Sequence, residues 1–376
     1  MAIIAPTLDQ IAEVEATKKV PSLDDGTGNA AIIRTLQDWG IYLYSGVNGG
    51  GIIHFARYLK RVRSLKQVYE KVPQLFTINE DIASFIPVGY HWATGNIAAS
   101  LFTTGGAAFY GETGLLAAIV HNTPMVAVAA LSGSSSHGKS PLQYTGKGGS
   151  NTVGSYRSLL GKRAIVLDDV DSLEERLLMG QEGLQESKPV AFLIVPDKIS
   201  QKVSKEIYVP WKEQPRTFDE NGVRRFLSRF PEETKGRRVV IYVGEEAAKY
   251  NNIQDLITQF SEKLQAPVVY AMNSVNAVSP NNRLAAGFIG LGFNDFSWDL
   301  WQSLTKDDIV VCIGYDPGEY EMNSKNIPAR VWHLTNEVRP YGSKNGSFAH
   351  RIDGKYTKVR GDLELTLQAI NDGFRD

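Results

Sequence analysis

The chain has 376 residues, 43% of them hydrophobic and 22% charged, with a formal net charge of −1. That length suits two domains of roughly 150–200 residues. The near-zero charge excludes a broad basic field for nucleic acid or anionic membrane, and no apolar run reaches the ~18 residues of a membrane span. The single cysteine, Cys312, lies in the apolar run DIVVCIG, so it reads as a buried strand residue with no internal disulfide open to it. The N-terminus, MAIIAPTLDQIAEVEATKK, lacks a basic start followed by an apolar core. A cytoplasmic protein is expected.

Residues 1–28 contain the acidic stretch SLDDGTGN and read as an extension without chemistry. Helical spacing of Ile32, Ile33 and Leu36 predicts a helix over 30–39. A strand over 41–44 and the glycine-rich turn 45–51 follow. Residues 52–70 read as a helix with a solvated basic face (Arg57, Lys60, Arg61, Arg63, Lys66). A strand over 76–78 ends at Asn79 and Glu80, and a helix is predicted over 81–92. The next expectations are a strand at 98–103, a helix at 107–120, a strand at 125–131 and a polar, glycine-rich loop at 132–155. A strand at 164–166, a helix at 172–185 and a strand at 190–195 complete the unit, which Pro196 and Asp197 close.

Residues 201–235, rich in charge and proline, read as a linker. Beyond it come strands at 239–243, 267–270, 309–313 and 330–334, with helices at 252–265 and 297–304. Alternating strands and helices imply α/β architecture: two tandem doubly wound domains with mainly parallel sheets, over 29–200 and 236–376.

Glycine-rich turns recur at 46–51, 103–106 and 287–292 (GFIGLG). Such turns let backbone N–H groups approach a ligand, an anion above all. The segment from Gly133 to Ser140 fits G-x-x-x-x-G-K-[ST] and follows an apolar strand. It would aim Lys139 at phosphates and Ser140 at magnesium in a nucleotide hydrolase, with Asp168 and Asp169 as metal holders. That motif has to open a helix, and here Pro141 and then Gly146, Gly148 and Gly149 follow. A loop near an active site is the competing reading. His137, in that loop, is a candidate for substrate handling. His54, His91 and His121 fall on expected helices or their ends and read as incidental. No His, Cys, Asp or Glu cluster has metal-ligand spacing, and no G-x-S-x-G elbow is present.

One series of residues carries a resemblance. Glu80, Gly89-Tyr90, Thr94-Gly95, the turn Thr103-Thr104-Gly105-Gly106, and Asn122-Thr123-Pro124 before a strand occur in the order seen in the pyrimidine-binding domain of thiamine-diphosphate enzymes. The acetolactate synthase and pyruvate oxidase branch is the most similar. Residues 40–50 resemble its first strand and turn, residues 187–197 its end, and the second unit its central domain, which holds FAD or ADP in some members. The resemblance covers residues 30–376. It implies that Glu80 hydrogen-bonds N1′ of the cofactor's aminopyrimidine and favours the imino tautomer whose 4′-nitrogen removes the thiazolium C2 proton. Such a carboxyl needs a dry site where its proton can be shared. The same resemblance makes Asn48, Gly49, Thr103, Thr104, Gly105 and Gly106 cofactor contacts.

The chain departs from the family's pattern at Asn48, where proline is usual, and at Gly105-Gly106-Ala107, where synthases carry Gly-Pro-Gly. The family binds diphosphate and Mg²⁺ through Gly-Asp-Gly and a later Asn. Here Gly361-Asp362 is followed by Leu363. The expectation is a subunit of a split, heterotetrameric enzyme. A partner chain would supply the diphosphate and Mg²⁺ site for decarboxylation of a pyruvate-like 2-oxo acid and transfer of the acyl carbanion to an acceptor. The alternatives are a non-catalytic regulatory or binding subunit of the same fold, and the nucleotide hydrolase using Lys139. GFIGLG and Asp316 hint at a vestigial dinucleotide site in the second unit, against a reading of empty packing.

Overall fold

The computed structural model describes residues 20–62, 71–136, 138–139, 141–213, 215–290, 292–315, 326–338 and 351–374. The chain forms two compact units, residues 1–213 and 214–376.

In unit 1 the described elements are α1 (Gly28–Asp38), β1 (Leu43–Gly46), a single turn α2 (Ile53–Ala56), β2 (Lys60–Val62), β3 (Gln74–Thr77), α3 (Glu80–Thr94), β4 (Ala99–Phe102), α4 (Gly106–Val120), β5 (Val126–Ala130), α5 (Thr152–Leu160), β6 (Ala164–Leu167), α6 (Leu173–Gln185), β7 (Val190–Ile194) and α7 (Pro196–Ile199). The strands pair in parallel in the order β2-β3-β1-β4-β5-β7-β6. Strand β5 shows how two faces are covered. Val126, Val128 and Ala130 point into a core with α1 and α6, while Ala127 and Ala129 point into a second core with α3, α4 and α5. The doubly wound α/β expectation is borne out.

Several expectations need correction. The helix read over 52–70 is only the turn α2, followed by edge strand β2. Tyr58, Leu59 and Val62 are buried there, and Lys60 N–H bonds Pro73 O at 2.9 Å. Pairing with β3 overrides the local helical spacing; residues 63–70 lie outside the described residues. Of the expected extension, residues 20–28 are integral to unit 1: Thr27 Oγ1 caps α1 at Ala30 N–H. Residues 1–19 lie outside the description. The expected linker divides between the units. Ile207 and Val209 are buried in unit 1, and Gln181 Nε2 donates to Pro210 O at 2.7 Å. Residues from 220 onward form a helix of unit 2.

Unit 2 consists of α8 (Glu220–Thr234), β8 (Val239–Val243), α9 (Ile253–Leu264), β9 (Val268–Ala271), β10 (Ala285–Ile289), α10 (Asp295–Gln302), β11 (Ile309–Ile313), β12 (Arg330–Thr335), β13 (Tyr356–Arg360) and α11 (Leu363–Gly373). Its parallel strand order is β10-β9-β8-β11-β12-β13. Val223, Phe226 and Phe230 give α8 a buried stripe, and Phe226 stacks on Phe230 with ring centroids 4.5 Å apart. Charges between those positions, together with Pro231, made the segment read as linker. Cys312 is buried in β11, as expected.

Glu246 is buried where the chain leaves β8. It accepts hydrogen bonds from Thr335 Oγ1 and from Asn336 N–H at 2.7 Å, at the end of β12. Burial, then the nearby Glu337 carboxylate, push its pKa up to about 7 against the pull of those bonds and of Lys249. The folded chain therefore holds this proton more tightly than the unfolded chain does. The resulting stability is fully present below pH 4.5 and is lost as pH rises through about 7. The stability difference between wild type and Glu246→Gln, followed by urea unfolding, is expected to shrink by on the order of 3 kcal/mol across that window.

Candidate cofactor site

Strand β1 lies between β3 and β4, in register Gly46↔Thr77 and Gly46↔Leu101. The chain leaves β1 towards β2 and β3, then crosses back to β4, so the winding direction reverses at β1. Ligands of open α/β sheets bind outside the carboxyl ends of strands at such a point. The glycine-rich turns after β1 and β4 and the Glu80 turn after β3 all leave those ends.

The turn after β3 delivers Glu80. Ile78 N–H bonds Gly46 O at 3.1 Å, which ties this turn to β1, and Asn79 caps α3 through its backbone, its O accepting from Ala83 N–H at 2.8 Å. Glu80 is the first residue of α3, half-buried, with Asp81 beside it. Negative charge is favoured at a helix start. The first turn of α3 is held to the sheet by two buried hydroxyls: Ser45 Oγ of β1 and Ser100 Oγ of β4 donate to Ala83 O at 2.8 and 2.9 Å. Sequence reasoning missed these serines, because inside apolar strands nothing local marks them.

The turns after β1 and β4 touch each other. Gly51 N–H bonds Thr103 Oγ1 at 3.3 Å. A Cβ on Gly49 would lie 2.5 Å from Thr103 Cβ, and one on Gly51 would lie 2.6 Å from Thr104 Cγ2. Only glycine permits this approach. Gly105 caps α4 at φ +73°, and a Cβ there would meet Gln143 Cβ at 2.5 Å. Thr104 Oγ1 donates to Gln143 Oε1 at 3.2 Å, which brings the loop after β5 onto this turn. Gln143 is a second residue the sequence did not reveal, since its partner is 39 positions away. Asn48 Oδ1 is buried without a hydrogen-bond partner. An orphaned acceptor beside a glycine cradle fits a ligand that brings a donor.

The structure thus gathers Asn48, Gly49, Thr103, Thr104, Gly105 and Gly106 around adjoining turns, with Glu80 on the third. His137 lies outside the described residues. The phosphate-loop condition fails: Ser134–Ser136 is a 3₁₀ turn and the next helix starts at Thr152, so Lys139 does not precede a helix N-terminus. GFIGLG divides: Gly287–Ile289 belong to edge strand β10, and only Gly290 and Gly292 lie in the turn from β10 to α10; Asp316 lies outside the described residues. Among the described residues no group of three His, Cys, Asp or Glu is placed to hold a metal, and no helix is long and apolar enough to cross a membrane.

Two neighbouring cavities of unit 1, about 520 and 410 Å³, lie by β6 and are lined by residues such as Val153, Val166 and Asp168. Neither is lined by Glu80, Asn48 or Thr103.

Comparison with known families settles the affiliation. The family model for the thiamine pyrophosphate enzyme N-terminal TPP-binding domain matches residues 26–148, and that for the central domain of the same enzymes matches residues 234–369. The chain belongs to the thiamine pyrophosphate enzyme family. It is 23% identical to the acetolactate synthase large subunit of Buchnera aphidicola, over 77% of this chain and 48% of that protein. It is 22% identical to that of Haemophilus influenzae, over 92% of this chain and 58% of that protein. The chain thus spans about half the length of these curated relatives. An X-ray structure described as that of a thiamin diphosphate-dependent enzyme from Mycobacterium smegmatis shares the fold at a TM-score of 0.70 and 17% identity, covering 94% of this chain and 63% of that one. Two family domains are present, and the three converging turns fall in or beside the first of them.

Proposed function

We propose that unit 1 holds the aminopyrimidine half of thiamine diphosphate, with Glu80 as the carboxyl that hydrogen-bonds N1′. The chain then acts with a separate polypeptide that binds the diphosphate and Mg²⁺, in a heterotetramer that decarboxylates a pyruvate-like 2-oxo acid and transfers the acyl carbanion to an acceptor, as in acetolactate synthesis. The observation that carries this reading is the meeting of the Glu80 turn with the glycine-threonine turns at the carboxyl ends of β3, β1 and β4. Asn48 and the 103–106 turn would contact the ring, and Glu80 would share a proton with it. When bound, the cofactor supplies the electron sink for decarboxylation.

A partner is supported by an apolar surface on the paired helices α3 and α4. Ile82 and Phe85 on α3, and Phe109, Tyr110, Leu116 and Val120 on α4, are each 41–57% exposed. Faces of this kind mark interaction sites. An FAD or ADP in unit 2 has less support, because the carboxylates Glu245 and Glu337 lie by the ends of β8 and β12, where they would repel phosphates. The test is turnover of pyruvate by the purified chain with and without a polypeptide carrying Gly-Asp-Gly and a downstream Asn. Activity is expected only in the mixture. Full activity of the chain by itself would refute the split site.

A further inference from the structure

Helix α3 contains Pro87. Proline has no N–H, so the carbonyl four residues earlier loses its helical partner, and the ring crowds that same carbonyl. That carbonyl belongs to Ala83. Ala83 is fully buried, so water does not take the missing donor's place. Ser45 Oγ and Ser100 Oγ, both fully buried, donate to that oxygen from two adjacent strands at 2.8 and 2.9 Å. Ser45 Oγ also lies 3.4 Å from Ala99 O.

We propose that Pro87, Ser45 and Ser100 form a lock that positions Glu80. In a regular helix the Ala83 carbonyl would be spent along the axis, and the first turn of α3 would be free to shift over the sheet. Pro87 releases that carbonyl, and the two serines anchor it to β1 and β4, the strands whose following turns hold Asn48 and Thr103. Glu80 lies three residues before the anchored carbonyl, so its height above the sheet is set by these two hydroxyls. The three residues act through Glu80 and touch no ligand. This inference rests on the proposed role of Glu80, but the lock itself has a readout that does not depend on catalysis.

The test uses the full chain and two substituted forms. Ser45→Ala with Ser100→Ala leaves a buried carbonyl unpaired and is expected to lower the melting midpoint by about 3–8 °C. Adding Pro87→Ala returns an N–H to the helix and is expected to restore most of that loss. In the complex with the diphosphate-binding partner, the double variant is expected to lower kcat about tenfold with KM for the 2-oxo acid unchanged. Pro87→Ala is expected not to restore kcat, since the helix is then satisfied but no longer anchored. Failure of Pro87→Ala to recover the midpoint overturns the lock. Recovery of the midpoint with wild-type kcat in the double variant leaves the serines purely structural and overturns the positioning role. An inactive wild-type complex counts against the proposed function, and the melting arm still decides the lock.

Discussion

Glu80→Gln in the complex of this chain with a diphosphate-binding partner is expected to lower kcat for 2-oxo acid decarboxylation by about 10²–10⁴-fold, the range supplied by a positioned proton-sharing group. Glutamine keeps the shape of the side chain and its place at the start of α3. It cannot take up or return a proton, so it cannot favour the tautomer that activates the cofactor. The fold should not suffer. Glu80 is half-buried at a helix start where Asp81 also carries negative charge, so losing one charge costs about 0.3–1 kcal/mol. The measurement is a pair: kcat of the complex, and exchange of the C2 proton of bound cofactor into deuterated water. Both should fall together while the melting midpoint stays nearly constant. Near-normal activity of the variant complex would favour the rival reading, a non-catalytic subunit that kept the fold.

The parts of this chain legible in its sequence are those whose signal is local. Strands β5, β7 and β11 are short apolar runs bounded by proline, a polar residue or glycine. The turns at Glu80 and at 103–106 stand out because strand, turn residue and helix follow one another without a break. The edge strands β2, β10 and β13 carry no such local signal. An edge strand is short and half-solvated, and its identity comes from a neighbour distant in sequence: Lys60 bonds Pro73, and β10 pairs with β9. Helix α8 was hidden by Pro231 and by charges that lie on its outer face. The serine pair under α3 illustrates the same limit at the site. Pro87 is visible in the sequence as a residue that spoils a helix, but the groups that satisfy the orphaned carbonyl come from strands 17 and 38 residues away.

Gly114 controls the other boundary of α3, and a single methyl group there is expected to cost about 3 kcal/mol or more. A Cβ on Gly114 would lie 2.1 Å from Ser84 O, 2.3 Å from Ser84 C and 2.6 Å from Ser84 Cβ. Two of these atoms are backbone and cannot rotate away, so α3 and α4 must move apart. Alanine is the better helix former by about 1 kcal/mol, so propensity alone gives Gly114→Ala the opposite sign. The clash wins because at such distances the penalty rises far more steeply than any propensity gain. Gly89, on the same helix as Glu80, is the control: it is exposed, and a Cβ there meets nothing within 4 Å. Gly89→Ala is expected to leave stability unchanged or to raise it by up to about 1 kcal/mol. Urea unfolding of the two variants decides the matter. Equal stability of both would mean that the helices tolerate separation and that their spacing does not hold Glu80. Loss confined to Gly114→Ala would place α3 between two fixed supports, the serines of the sheet on one side and the glycine of α4 on the other, with Glu80 at its first residue.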